Sequence, residues 1–306
     1  ICARMTLFAS WGIILDDVIF PDGRSAMGRP GGGGLYAVSG MRLWQENVVI
    51  YAAVGPDFDA SSLREIGLDG RGLIVNERPT PRAWQLFEKD GTRTQIPRVT
   101  RGDWNAQLVE IVQAEPVDPD IHWAHFLGRG SESELARVRQ LHEAGILLSA
   151  EPIVGEDITA AELGIIQQCL AYFTIFSPGE SELRHLVGDR PVQDQLRELA
   201  QFGPRFINLR QGAKGSLVYD GEADQFWQVP AAPAQVVDVT GAGNAYCGGF
   251  LTGWVSSGSL VQAAAQASVS AAMTIEQIGP RPLQPETLAE AQARTQAIQP
   301  LIQPLV

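Results

Sequence analysis

Val237-Asp-Val-Thr-Gly-Ala-Gly-Asn-Ala-Tyr-Cys-Gly-Gly-Phe250 decides the reading of this chain. The β-branched residues ahead of Gly241 predict a strand, and an apolar helix over Ala242 to Ser257 follows at once. Between them, Gly241-Ala242-Gly243 carries almost no side chain. Backbone N–H groups of the first helical turn are then left uncovered at the positive end of the helix dipole. That combination is an anion site, suited to a phosphate or a developing phosphoryl charge. A strand-to-helix turn built only for close packing is the other reading of the same glycines.

Working outward, short apolar runs alternate with helical patterns. Strands are predicted at 48–54, 72–76, 121–127, 146–149, 172–176, 205–209 and 216–219. These runs are continuous rather than alternating, as in strands covered on both faces of a mainly parallel sheet. Ser131-Glu-Ser-Glu134 is a capping-box start with Gly145 as its stop. Further helices are predicted at 35–44, 159–170, 191–202 and 260–276. The alternation implies β-α units with right-handed crossovers, hence a doubly wound α/β fold in one domain over 1–306. Ala83 to Ile96 departs from this pattern and reads as a hairpin turning at Asp90-Gly91, with Ile13 to Phe20 as a further extended run. The two could pair into a small β lid, or the hairpin could be an ordinary surface feature.

Two more glycine clusters stand out. Gln211-Gly-Ala-Lys-Gly-Ser216 lies between two strands, where Gly212 and Gly215 allow positive φ and Lys214 could meet a nucleotide phosphate. Gly31-Gly-Gly-Gly34 precedes a helix and could let a polar substrate lie on bare backbone. His122 and His125 are read as sharing one face of a strand, in packing or hydrogen-bonding roles rather than as metal ligands.

Composition narrows the function. The 306 residues carry 23 Lys+Arg against 35 Asp+Glu, a net charge of −12, which argues against nucleic acid or an anionic membrane as partner. Apolar residues make up 45% of the chain, enough for a large core. Three widely spaced cysteines suggest neither a disulfide framework nor a metal motif. The longest apolar run is far too short to span a bilayer. A cytoplasmic protein is expected. No Gly-x-Gly-x-x-Gly follows the first strand, which disfavours a nucleotide-dependent oxidoreductase.

Taken together and in this order, the three glycine clusters resemble the PfkB, or ribokinase-like, carbohydrate kinases over nearly the whole chain. Gly12 followed by Asp17, Gly31-Gly32, Val54-Gly-Pro-Asp57, Ser177-Pro-Gly-Glu-Ser-Glu182 and Gln211 to Gly215 all fall at family positions. Pro21-Asp-Gly23 and residues 31–43 are most similar to a divergent branch containing the fungal killer-maintenance proteins. The resemblance implies a kinase using ATP and Mg²⁺ on a small-molecule alcohol of the sugar or nucleoside class. It implies that Gly241, Ala242 and Gly243 stabilise transition-state charge and that Thr240, Gly212, Lys214 and Gly215 bind nucleotide. Asp17, Gly31 and Gly32 would hold substrate, and Glu182 would organise the metal waters. Adenine would lie near the Ala263–Ala272 helix. A lid of about 13–30 and 80–100 would close over the acceptor and could pair two copies into a homodimer.

Departures from the family pattern matter equally. Asn244 stands where the family has the Asp that accepts the proton of the attacking hydroxyl, and a neutral carboxamide can orient a hydroxyl but not deprotonate it. Loss of a general base costs about 10²–10⁴ in rate. Positioning and charge stabilisation, which dominate phosphoryl transfer, would remain. Gly179 replaces an Asn of the metal-water motif, Val239 a Thr, and Leu35-Tyr36 the usual Asn beside the glycine pair. Asp238 is the one nearby carboxylate in the segment that could act as base, from a poorly placed strand end. These features leave two readings: a kinase with attenuated turnover, or a catalytically silent binding or scaffold protein on the same fold.

Overall fold

The computed structural model describes residues 6–89 and 92–305. Ten strands form one sheet in the order β14-β13-β12-β11-β10-β9-β8-β1-β4-β5. Its parallel part comprises β1 (Leu7–Trp11), β4 (Val48–Val54), β5 (Leu73–Val75), β8 (Ile121–Gly128), β9 (Leu147–Pro152), β10 (Ile175–Phe176) and β11 (Phe206–Arg210). Antiparallel β12 (Ser216–Asp220), β13 (Gln225–Val229) and β14 (Gln303–Leu305) extend one edge. A separate four-stranded sheet has the order β3-β2-β6-β7, from β2 (Ile14–Ile19), β3 (Ser25–Gly31), β6 (Arg82–Phe87) and β7 (Arg93–Pro97). The expected Asp90-Gly91 turn lies outside the described residues.

Eleven α-helices are described: α1 (Gly33–Arg42), α2 (Ser61–Glu65), α3 (Arg101–Asn105), α4 (Ile111–Ala114), α5 (Glu132–Glu143) and α6 (Ala160–Leu170), then α7 (Glu180–Val187), α8 (Val192–Gln201), α9 (Ala242–Ser257), α10 (Leu260–Thr274) and α11 (Pro285–Ile298). The strands read as unbroken apolar runs because neighbours along each one serve opposite cores. Phe8, Ile50 and Phe206 pack with α1, α9 and α10, whereas Leu7, Val49 and Ile207 pack with α5, α6 and α8. The two layers are those of a doubly wound fold. Among the described residues no helix is long and apolar enough to cross a membrane.

Small residues set how closely the helices over the first core approach. A Cβ on Gly248 would lie 2.0 Å from the Ala37 carbonyl oxygen, and one on Gly253 would lie 2.6 Å from the Ala263 Cα. Alanines and glycines therefore let α1, α9 and α10 stack backbone to backbone, which carries the α9 N-terminus down to the sheet. The capping box at Ser131 forms, with Glu134 accepting from the Ser131 N–H at 2.8 Å. Two expectations need correction. Residues 230–240 form a loop rather than a strand, and Val236, Val237 and Val239 are exposed there, because no neighbouring strand pairs with them. His122 and His125 face opposite sides of β8, since three residues along a two-residue period change face. His122 is exposed and His125 fully buried.

Candidate active site

The parallel strands end in a polar row under the N-terminus of α9. Register pairs His125 with Ser149, Ser149 with Ile175 and Ile175 with Phe206, so His125, Glu151, Ser177, Asn208 and Arg210 share one face. Open α/β sheets bind ligands at this location, beyond the carboxyl ends of the strands. Glu151 is its hub. It is 4% exposed and accepts from the Asn244 Nδ2 at 2.5 Å, the His125 Nε2 at 3.1 Å and the Arg210 guanidinium at 2.5 Å. Burial opposes its ionisation, but the charge of Arg210 and the bonds from His125 and Asn244 outweigh it, holding the carboxyl down to about 2. The second arm of Arg210 reaches Glu182 at 3.1 Å, and its Nε is buried without a partner.

Above this row, Gly241 caps α9 in a left-handed conformation at φ 79°, which only glycine adopts without strain. Its missing side chain is also required sterically, since a Cβ would meet the Tyr36 ring at 2.1 Å. A Cβ on Gly243 would meet the Arg210 guanidinium at 2.0 Å. The N–H groups of Gly243 and Asn244 have no acceptor among the described residues, and Ala242 to Asn244 are only partly buried. Bare donors, the helix dipole and a guanidinium therefore converge on one open point.

The small sheet brings an acid near Tyr36, though not the one counted from Gly12. Asp17 is enclosed: it accepts from Arg82 Nε and Nη2 at 2.6 Å each and from the Gly28 N–H at 2.7 Å, and it pairs with Arg98. Both its oxygens are occupied by these donors, whereas an acid open to a substrate hydroxyl was expected here. Adjacent strand residues face opposite ways, so Asp16 turns to the side of Tyr36 and Asp238. Its Oδ1 accepts from Gln85 at 2.6 Å, while Oδ2 is buried and unpartnered. Burial pushes this carboxyl up to about 7. Gly31 must be bare beside it, because a Cβ would stand 1.8 Å from Oδ2. Gly32, at φ 99°, turns the chain into α1.

Remaining expected positions are dispersed around the same mouth. Gly212 and Gly215 both have positive φ, and a Cβ on Gly215 would strike the Val229 carbonyl at 2.0 Å. Lys214 is 74% exposed, with Glu180 3.7 Å away. Thr240 is buried with an unpartnered Oγ1, and its N–H donates to Asp238 at 2.8 Å. Glu182 accepts from the Gly179 N–H at 2.6 Å; burial raises its pKa despite Arg210. Its Oε1 has no hydrogen bond among the described residues. The Ala263–Ala272 stretch of α10 is core. The open surface near it is a cleft of about 550 Å³ lined by Val237, Glu276 and Arg281. His125, Glu151 and Cys247 bring potential ligand atoms within 4.8 Å. Arg210 already neutralises Glu151 there, and burial pushes the Cys247 thiol well up, so the set does not fit a metal.

Sequence reasoning missed Asp16, Glu151 and Arg210 and read Tyr36 only as a departure beside the glycine pair. One signal was available: Glu151 and Arg210 are charged residues at the carboxyl ends of mostly apolar strands, where doubly wound folds place their sites.

The site thus sets bare helix N–H groups and a guanidinium at the carboxyl ends of a doubly wound α/β sheet that carries a separate four-stranded sheet. The pfkB family carbohydrate kinase model matches residues 5–287, and the chain belongs to that family. It is 26% identical over 245 residues to the cytidine kinase of Thermococcus kodakarensis, covering 79% of this chain and 86% of that one. An E. coli protein assigned as ribokinase II, solved with ATP and Mg²⁺, superposes with a TM-score of 0.78 at 19% identity, covering 96% and 99% of the two chains. The nucleoside kinase of Burkholderia thailandensis with ADP-inosine gives 0.75 at 18%, covering 96% and 95%.

Proposed function

We propose that this chain transfers the γ-phosphoryl group of ATP to a hydroxyl of a sugar- or nucleoside-class small molecule, with turnover slowed by Asn244. The unpaired N–H groups of Gly243 and Asn244 beside Arg210 carry this reading. They are fixed before any ligand arrives and aim positive charge where the transferring group gains negative charge. A bond forms from the acceptor oxygen to the γ-phosphorus, the bond to the β,γ-bridging oxygen breaks, and ADP leaves. Asn244 does not take the hydroxyl proton, so it passes late to a phosphoryl oxygen or to water.

Asp16 rather than Asp17 grips an acceptor hydroxyl through Oδ2, against the bare backbone of Gly31 and Gly32. The small sheet (about 13–30 and 80–100) is the lid that excludes water. Gly212, Lys214, Gly215 and Thr240 hold the nucleotide, and the 550 Å³ cleft is of a size for its base. The free Oε1 of Glu182 fits a hydrated Mg²⁺, which prefers one or two carboxylates plus phosphate oxygens and would neutralise phosphate charge. The second reading, a silent binding protein, is favoured by Asn244 and Gly179. An acceptor panel of sugars, nucleosides and vitamin alcohols, read by phosphorylated product, decides between them. Product from any acceptor, abolished by Arg210→Gln, is expected; Mg·ATP binding with no product from the whole panel would leave the silent reading standing.

A further inference from the structure

Asn244, on the first turn of α9, is held by a buried carboxylate from another element. We infer that the buried Glu151 on β9 is the positioning residue that sets the Asn244 carboxamide on α9 for the acceptor. This rests on the kinase reading above and extends it to a residue outside the family motifs quoted earlier.

The argument begins with donors and acceptors. An ionised carboxylate only accepts, so the Asn244 atom 2.5 Å from Glu151 Oε1 is the amide nitrogen. Oδ1 is thereby turned away from Glu151. It has no partner among the described residues and belongs to a half-buried side chain at the mouth of the cradle. Its role is to accept the acceptor's O–H hydrogen bond, aligning the oxygen lone pair with the γ-phosphorus. The groups facing Glu151 come from four elements: His125 on β8, Arg210 on β11, Glu182 on α7 through Arg210, and Asn244 with the buried Cys247 on α9. Arg210 is the single cation between two carboxylates, Glu151 and Glu182. A second carboxylate at 244 would crowd Glu151 at hydrogen-bonding distance with no new cation to offset it, so the two would titrate as one unit. The substitution at 244 is therefore not a simple deletion of a base that one reversion repairs.

The full chain is compared as wild type, Asn244→Asp, Glu151→Gln and the double variant. Melting temperatures are followed from pH 5 to 8, together with phosphoryl transfer from Mg·ATP to the acceptor panel. Expected is that Asn244→Asp melts below wild type by a margin that widens as pH rises, because its coupled pair holds a proton only at low pH. It should turn over no faster than wild type. Glu151→Gln should lower kcat about tenfold or more with the KM for ATP little changed. The double variant should recover the melting temperature and exceed wild-type kcat by about 10²-fold, with an acidic limb in its pH–rate profile that wild type lacks. The inference is overturned if Asn244→Asp alone matches the double variant in rate, or melts with wild type at every pH. If Glu151→Gln does not fold, the pH-dependent melting of Asn244→Asp still decides. The expected melting pattern without product from any of the four chains would overturn the kinase reading and leave the pair standing.

Discussion

Asp16 and Asp17 are neighbours of the same residue type, yet their environments push them apart. Asp17 sits among guanidiniums that hold its carboxyl below the usual range against the effect of burial. Asp16 lacks such a partner, so burial raises it from 3.8 to about 7. A carboxyl whose folded pKa lies above its unfolded value contributes stability that is full below about pH 4 and is lost as pH rises through 7. The difference is roughly 4 kcal/mol. Asp16→Asn should therefore melt higher than wild type at pH 8, converge with it near pH 4, and lose acceptor-dependent turnover. Thermal unfolding across that range checks this, and parallel curves for the two proteins would refute it. Gly241→Ala combines a strained φ with a 2.1 Å approach to the Tyr36 ring. A loss of about 2–4 kcal/mol in urea unfolding is expected, together with loss of nucleotide binding. The sequence marked this position as one where a side chain would be costly, as φ 79° and the Tyr36 ring require. It did not separate Asp16 from Asp17, because counting from Gly12 ignores which face each residue takes.

At the level of elements, the small sheet is held by charges on one side and by Asp16 and Gln85 on the other. Arg82, half-exposed, pairs in two-pronged fashion with the enclosed Asp17, and Arg98 stacks its guanidinium 4.0 Å over Trp84. Phe20 and Phe87 stack with centroids 5.4 Å apart. Arg82→Met would leave Asp17 short of its main partner, at a cost of about 2–4 kcal/mol confined to this sheet. Amide exchange should accelerate across 14–31 and 82–97 while β1, β4 and β8 keep their protection; equal loss in both sheets would contradict an independently held small sheet. The helix α5 was legible in detail because its stop and start signals are local: Ser131 and Glu134 close the capping box and Gly145 takes φ 81°. β10 was overread as 172–176, since only Ile175 and Phe176 find parallel partners. The apolar run was real, but Phe173 is buried in the core without joining the ladder.

Across the whole molecule, a ten-stranded sheet, three glycine-packed helices and a four-stranded cover bring residues from five distant segments to one mouth. Mg·ATP should raise the melting temperature by several degrees at a hundredfold excess over its Kd, corresponding to about 2.7 kcal/mol. Gly243→Val should abolish that shift, because its side chain would occupy the place of the Arg210 guanidinium. A full shift in the variant would mean that nucleotide binds elsewhere. The alternation of apolar runs and helical patterns, the anion turn at 241–243 and the missing base at 244 were determined by the sequence itself. Each is a local property, set by side-chain volume, backbone freedom or the chemistry of one group. Which partners Asp16 and Asp17 meet, what holds the Asn244 amide and where Arg210 places its charge were decided only by tertiary structure. Those outcomes depend on strand register and on burial among groups 28 to 93 residues apart, distances over which a chain carries no local signal.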